Sequence, residues 1–237
     1  MKATAEQAER LHRFAHDLRN RLIGLQQVLE QLREGSPDPD REELAVFGEQ
    51  QFFKALRDVE ALMDDLGVER GTVKPVIACV RIADLVRTHI DLMQHRFQQK
   101  KQQLELDLDE DLTAQADARV LGNVLDALFS NASKFSPQNV TIAIGVKVDG
   151  DDAVITVEDH GTGLSAEDLE RVFVRFAWLK NRPTDGGSQG RGTLARAREW
   201  MIAQGGSLVV HSPGEGQGCV FTGRLPNGGA CEVRSGQ

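Results

Sequence analysis

The residues able to do chemistry fall in four groups along the chain. His16 is followed directly by Asp17, with Asn20 one helical turn further on. A neutral imidazole attacks phosphorus competently when a neighbouring carboxylate takes or orients its ring proton, and Asp17 is placed for that. Asn131 and Lys134 stand three apart, able to offer an amide oxygen to Mg²⁺ and an ammonium to phosphates from one helical face. Asp159 closes a strand-like run ahead of Gly161 and Gly163, which let backbone pass close to a flat ligand, while the carboxylate can accept a hydrogen bond from an adenine amino group. Further on, Gly186, Gly187, Gly190 and Gly192 precede a helix start whose amides can receive phosphates. Taken singly these are a surface histidine, a polar helix end, a turn and a loop. Their order and spacing are much more specific than any one piece.

The elements that must position these groups follow from periodicity. Leu11, Phe14, Leu18, Leu22, Leu25, Leu29 and Leu32 recur at helical spacing and lie within roughly 40° of one direction, whereas His16 points about 160° away, toward solvent, with Asn20 on the same outer face. Gly35, Pro37 and Pro39 break this helix, and a second apolar stripe runs from Leu44 through Phe47, Phe52, Leu56, Val59 and Leu62 to Leu66. An antiparallel hairpin of two helices leaves those stripes half exposed, which predicts a homodimer built as a four-helix bundle. A linker around Gly67 and Gly71 separates this domain, 1–69, from a second one, 70–230. In the second, the pattern predicts a strand over 76–80, helices over 82–99, 118–135, 166–175 and 194–204, and strands over 104–108, 140–148, 153–159, 207–210 and 219–225, giving an α+β layer fold.

Composition bounds the partners. The 237 residues carry 28 Lys and Arg against 36 Asp and Glu, a formal charge of −8, with no basic block to track a phosphate backbone, so duplex nucleic acid is not an expected partner. No apolar stretch is long enough for a membrane span and the amino terminus is polar, so a cytoplasmic setting is expected. Cys79, Cys219 and Cys231, widely spaced and odd in number, read as free thiols in a reducing compartment.

Residues 12–32, with His16, Asp17, Leu18, Arg19, Asn20, Arg21 and Leu22, resemble the phosphoacceptor box of two-component sensor histidine kinases, with Arg21 where that family carries a proline. The later groups resemble the N, G1, F and G2 boxes of the GHKL superfamily, the Bergerat ATP-binding fold of an α/β sandwich, and the likeness spans about 5–226. The resemblance implies that His16 is the phosphoacceptor, Asp17 its general base, and Asn20 the group that orients a hydrolytic water for phosphatase activity. It implies further that Asn131 holds Mg²⁺, Lys134 reaches phosphate, Asp159 reads adenine, Gly161 and Gly163 shape the base pocket, Phe173 and Phe176 anchor the lid, and Gly190, Gly192 and Thr193 lie along the phosphates. The chain departs from the family at Ala127, where a first asparagine is expected, at Thr193 or Leu194, where a glycine is expected, and at Val220, where a hydroxyl often touches the base.

The residues leave two functions with phosphoryl chemistry open, beside a third class, a non-catalytic scaffold that only dimerises and binds a receptor. One is an ATP-dependent histidine kinase that phosphorylates His16 and passes the group to an aspartate of a response regulator receiver domain. The other is a dimeric histidine phosphotransferase or phosphatase with a degenerate ATP-like domain. Fifteen residues precede His16, too few for a sensor domain, so the expectation is either a piece of a longer receptor or a free-standing transmitter that takes its signal from a separate sensor or receptor protein.

Overall fold

The computed structural model describes residues 74–175, 177, 179–181, 183, 184 and 192–229, together with Leu18, Ile23, Gly48, Phe52 and Ala55. The chain divides into two compact units, Met1–Thr72 with Arg175–Trp178, and Val73–Val174 with Leu179–Gln237. In the first, all five described residues of 1–72 are helical, and Phe52 of the predicted second stripe is buried. The rest of the predicted hairpin and its dimer seam lie outside the described residues.

The second unit runs β1 (Ala78–Arg81), α1 (Ile82–Gln99), β2 (Gln103–Leu108), β3 (Thr113–Ala116), α2 (Ala118–Phe135), β4 (Thr141–Asp149), β5 (Asp152–Asp159), α3 (Ala166–Arg171), α4 (Thr193–Ala203), β6 (Ser207–His211) and β7 (Cys219–Pro226). Five strands form one sheet in the order β2-β4-β5-β7-β6, while β1 and β3 pair as a separate antiparallel ribbon. β2 lies parallel to β4, a neighbour that needs a long crossover, here supplied by β3 and α2; the other pairs are antiparallel. Period-two alternation turns Ile142, Ile144 and Val146 of β4, and Phe221 and Leu225 of β7, into the core, where they meet Leu121, Leu125, Leu128 and Phe129 of α2, Val86 of α1 and Met201 of α4. The α+β layer reading holds: a mixed sheet with helices packed against it.

α2 starts where it does because Asp117 caps it. Its carboxylate accepts from the amides of Arg119 and Val120 at 3.0 and 3.1 Å, and from Val76 at 2.8 Å, which ties the entry of β1 to the same cap. Burial pushes this carboxyl up, but the amides of Val76, Val120 and Arg119, with the Arg119 charge, outweigh it and hold the group below the usual carboxylate range.

Three expectations are corrected. The strand expected over 76–80 begins only at Ala78, because the Val76 amide serves the cap. The helix expected to reach residue 175 ends at Arg171, with Val174 N–H bonded back to the Arg171 carbonyl in a turn. Cys79 is disulfide-bonded and so is not a free thiol, whereas Cys219 is free and buried. Among the described residues, no helix is long and apolar enough to cross a membrane.

Candidate functional site

The carboxyl end of β5 and the last turn of α2 meet at a cleft partly open to solvent. Asn131 and Phe135 of α2, Asp159 of β5, the Thr162–Gly163–Leu164 loop, Leu179 and Asn181, Leu194 of α4, and Cys219 and Phe221 of β7 are among its lining. Such a site, apolar with a few converging polar groups, is the form small-molecule pockets take.

Asp159 is the polar centre. It is 4% exposed, and its Oδ1 accepts the Gly161 amide at 2.9 Å. Burial pushes its carboxyl up to about 6, although the amides of Gly161 and Cys219 bond to it and favour the anion. The two glycines beyond it are demanded by space. A Cβ on Gly161 would stand 2.6 Å from the Phe135 carbonyl oxygen. Gly163 has φ +61°, and a Cβ there would fall 2.0 Å from the Gly214 carbonyl oxygen. Beside them, the Thr162 hydroxyl oxygen is buried with no hydrogen-bond partner, an unmet polar group in the wall of the cleft.

The carboxyl end of α2 is where these segments are joined. The last carbonyls of a helix have no partner within it, and here they take donors from three other segments. Ser133 and Ser136 carbonyls accept from Lys100 Nζ, both at 2.8 Å, and from the Gln102 side-chain amide. The Phe135 carbonyl accepts the Thr162 amide at 3.2 Å, and the Lys134 carbonyl accepts the Thr184 amide at 3.2 Å.

Of the residues singled out from sequence, Asn131, Asp159, Gly163 and Leu194 line the cleft together. Gly161 is buried beside it, under the Asp159 carboxylate. Lys134 is half-buried one turn beyond Asn131 and outside the lining. Phe173 also lies outside it, half-buried against the core with the Arg198 guanidinium 5.0 Å from its ring centre. Gly192 caps the amino end of α4, and Thr193 is its first residue. His16, Asp17, Asn20, Phe176 and Gly190 lie outside the described residues. Ala127 is buried, 5% exposed, and offers no polar atom. The concern over Val220 moves one residue: Val220 pairs with Glu158 on the other face of β7, and Cys219, opposite Asp159, is the one that lines the cleft. Burial and the Asp159 charge push the Cys219 thiol up to about 12, so it is neutral and unreactive. Thr162, Leu164, Val172, Leu179 and Asn181 also line the cleft and carry no marking pattern in the sequence; the alternation in β7 is the one signal that points to Cys219 and Phe221.

The donor set fits a nucleotide with its metal. Among the described residues no group of three His, Cys, Asp or Glu could hold an ion alone. The Asn131 amide oxygen is a hard ligand of the kind Mg²⁺ accepts when phosphates and waters complete its shell, and the orphaned Thr162 hydroxyl and recessed Asp159 suit a polar heterocycle.

Residues 116–229 match the model of the histidine kinase-, DNA gyrase B- and HSP90-like ATPases. The sensor histidine kinase WalK of Bacillus subtilis is 30% identical over 233 residues, covering 95% of this chain and 37% of WalK. ZraS of Salmonella typhimurium, also a sensor histidine kinase, is 30% identical over 218 residues, covering 90% of this chain and 44% of ZraS. The chain thus spans less than half the length of either curated relative. Among solved structures, full-length ShkA in complex with AMPPNP superposes with a TM-score of 0.61 at 24% identity, over 94% of this chain and 47% of that one. The Acinetobacter baumannii histidine kinase AdeS gives 0.57 at 21%, over 90% and 98%. Fold, cleft and kinship agree, and the chain belongs to the histidine kinase transmitters, with residues 116–229 as its GHKL-type ATPase domain.

Proposed function

We propose that the chain is an ATP-dependent protein histidine kinase that phosphorylates His16 and passes the phosphoryl group to an aspartate of a response regulator receiver domain. The observation that carries the reading is the buried Asp159 lining one cleft with Asn131. In this reading Asp159 accepts from the adenine amino group, Asn131 contributes an oxygen to Mg²⁺, and Lys134 meets phosphate. When bound, the metal neutralises charge on the transferring group. A His16 ring nitrogen forms the new bond to the γ-phosphorus, the bond to the leaving ADP oxygen breaks, and Asp17 takes or orients the ring proton. The step needs in-line placement more than covalent help. The domains divide at about 69–70, and a homodimeric four-helix bundle of the 1–69 hairpins carries His16; a separate sensor protein can supply the signal, in the cytoplasm. Asn20 orients water if the protein also dephosphorylates its regulator.

Incubation with γ-labelled ATP and Mg²⁺ tests this. Acid-labile label is expected on the unaltered chain and absent from His16→Ala; label that persists in His16→Ala contradicts the assignment. Ala127, buried and without a polar atom where the family's first asparagine stands, favours a second reading: a histidine phosphotransferase or phosphatase with a non-catalytic ATP-like domain. Thermal denaturation separates the two, because a ligand at 100 times its Kd adds about 2.7 kcal/mol to stability. A rise in Tm with Mg·ATP favours the kinase, and no rise favours the second reading.

A further inference from the structure

Lys100 is 6% exposed, and its Nζ lies 2.8 Å from the Ser133 carbonyl, 2.8 Å from the Ser136 carbonyl and 2.7 Å from the Thr184 hydroxyl. Three of its contacts are short, as many as an ammonium has protons, and the Lys134 carbonyl lies farther off at 3.4 Å. A cation at the carboxyl end of a helix also faces the negative end of its dipole, so the site suits a lysine twice over. Thr184 does more than accept this bond. Its hydroxyl donates to the Ser136 carbonyl at 2.8 Å, and its amide donates to the Lys134 carbonyl at 3.2 Å.

The same stretch of chain is held a second time a few residues earlier. The Lys180 amide donates to both carboxylate oxygens of Asp168, at 3.2 and 3.1 Å, and Asp168 is 2% exposed. Leu179 and Asn181, which line the cleft, stand beside or between these two fixed points. Neither Lys100 nor Thr184 lines the cleft, yet together they join one of its walls to the turn of α2 that follows Asn131 and contains Lys134.

We propose that Lys100 and Thr184 are positioning residues for the phosphate end of the nucleotide site, joining the Leu179–Asn181 wall to the last turn of α2. The proposal rests on the nucleotide reading above. The base end has its own support, Asp159 with the Gly161 amide, and this does not pass through Lys100 or Thr184. Loss of the join therefore acts on phosphate binding and spares the base.

The test compares Mg·ATP with adenosine by equilibrium titration on the whole chain. Thr184→Val keeps the shape and removes the hydroxyl that the ammonium and the Ser136 carbonyl share. Affinity for Mg·ATP is expected to fall by about tenfold, one charge-assisted hydrogen bond, with adenosine affinity changed less than twofold and Thr184→Ser restoring ATP binding. Lys100→Arg, whose planar fork cannot point three donors at these oxygens, should shift the ratio of the two affinities in the same direction and keeps the test alive if Thr184→Val does not fold. Equal loss of both ligands, or no change in either, overturns the proposal. Failure of the unaltered chain to bind adenosine at all overturns the nucleotide reading beneath it, a result distinct from the other two.

Discussion

Asp159 carries opposing demands. A carboxyl raised to about 6 when folded, against an ordinary value near 4, makes the folded chain progressively less stable as pH rises from about 4 through about 6, by about 3 kcal/mol in all. Asp159→Asn removes that cost, so at pH 8 the variant should melt at a higher temperature than the unaltered protein, and the difference should vanish near pH 4; a variant that melts lower at pH 8 contradicts the burial argument. The ionised form is the stronger acceptor, so nucleotide affinity should weaken as pH falls from 7.5 to 5.5. Cys219 offers an independent check. With its thiol pushed up to about 12, alkylation at pH 8 should be far slower in the native protein than after unfolding, as read by mass spectrometry of the peptide containing it; rapid native labelling would show the cleft wall to be open.

At the scale of elements, Asp117 is the residue on which most depends, because one carboxylate caps α2 and holds the Val76 amide. Asp117→Ala should lower stability by about 1–3 kcal/mol, seen as a reduced urea midpoint, since cap loss alone costs about 1 and a second bond goes with it. The helices α1 and α2 were legible residue by residue, because their apolar positions keep a 3.6 period over five turns. The strands β4, β5 and β7 were legible from alternation. β3 was not: Thr113–Ala116 is only four residues, too short for its Thr-Ala-Gln-Ala alternation to stand out and without a large apolar residue, and it is a strand through its pairing with β1. The site divides the same way. Asn131, Asp159 and Gly163 carry local signals of type and spacing, whereas Leu179, Asn181 and Val172 face the cleft through tertiary packing that leaves no period in the sequence. Lys100 stayed hidden for the same reason, since its partners lie 33 to 84 residues away.

For the molecule as a whole, the proposed reaction requires an adenine nucleotide in the cleft of the second unit and a phosphoacceptor in the first. At a net charge of −8 the protein's overall field repels a triphosphate, so the proposed contacts of Lys134, Asn131 and Mg²⁺ would have to offset it locally. The hairpin reading carries its own consequence: Leu25→Glu, in the centre of the predicted first stripe, should convert a dimer to a monomer in sedimentation while leaving the melting of the second unit unchanged. The most direct test of the central claim is a calorimetric titration of Mg·ATP into the whole chain beside Asp159→Asn. The account predicts saturable binding at one site per chain and at least tenfold weaker binding by the variant, a buried charged acceptor being lost from the base. Equal binding by the two, or none by the unaltered chain, would contradict it.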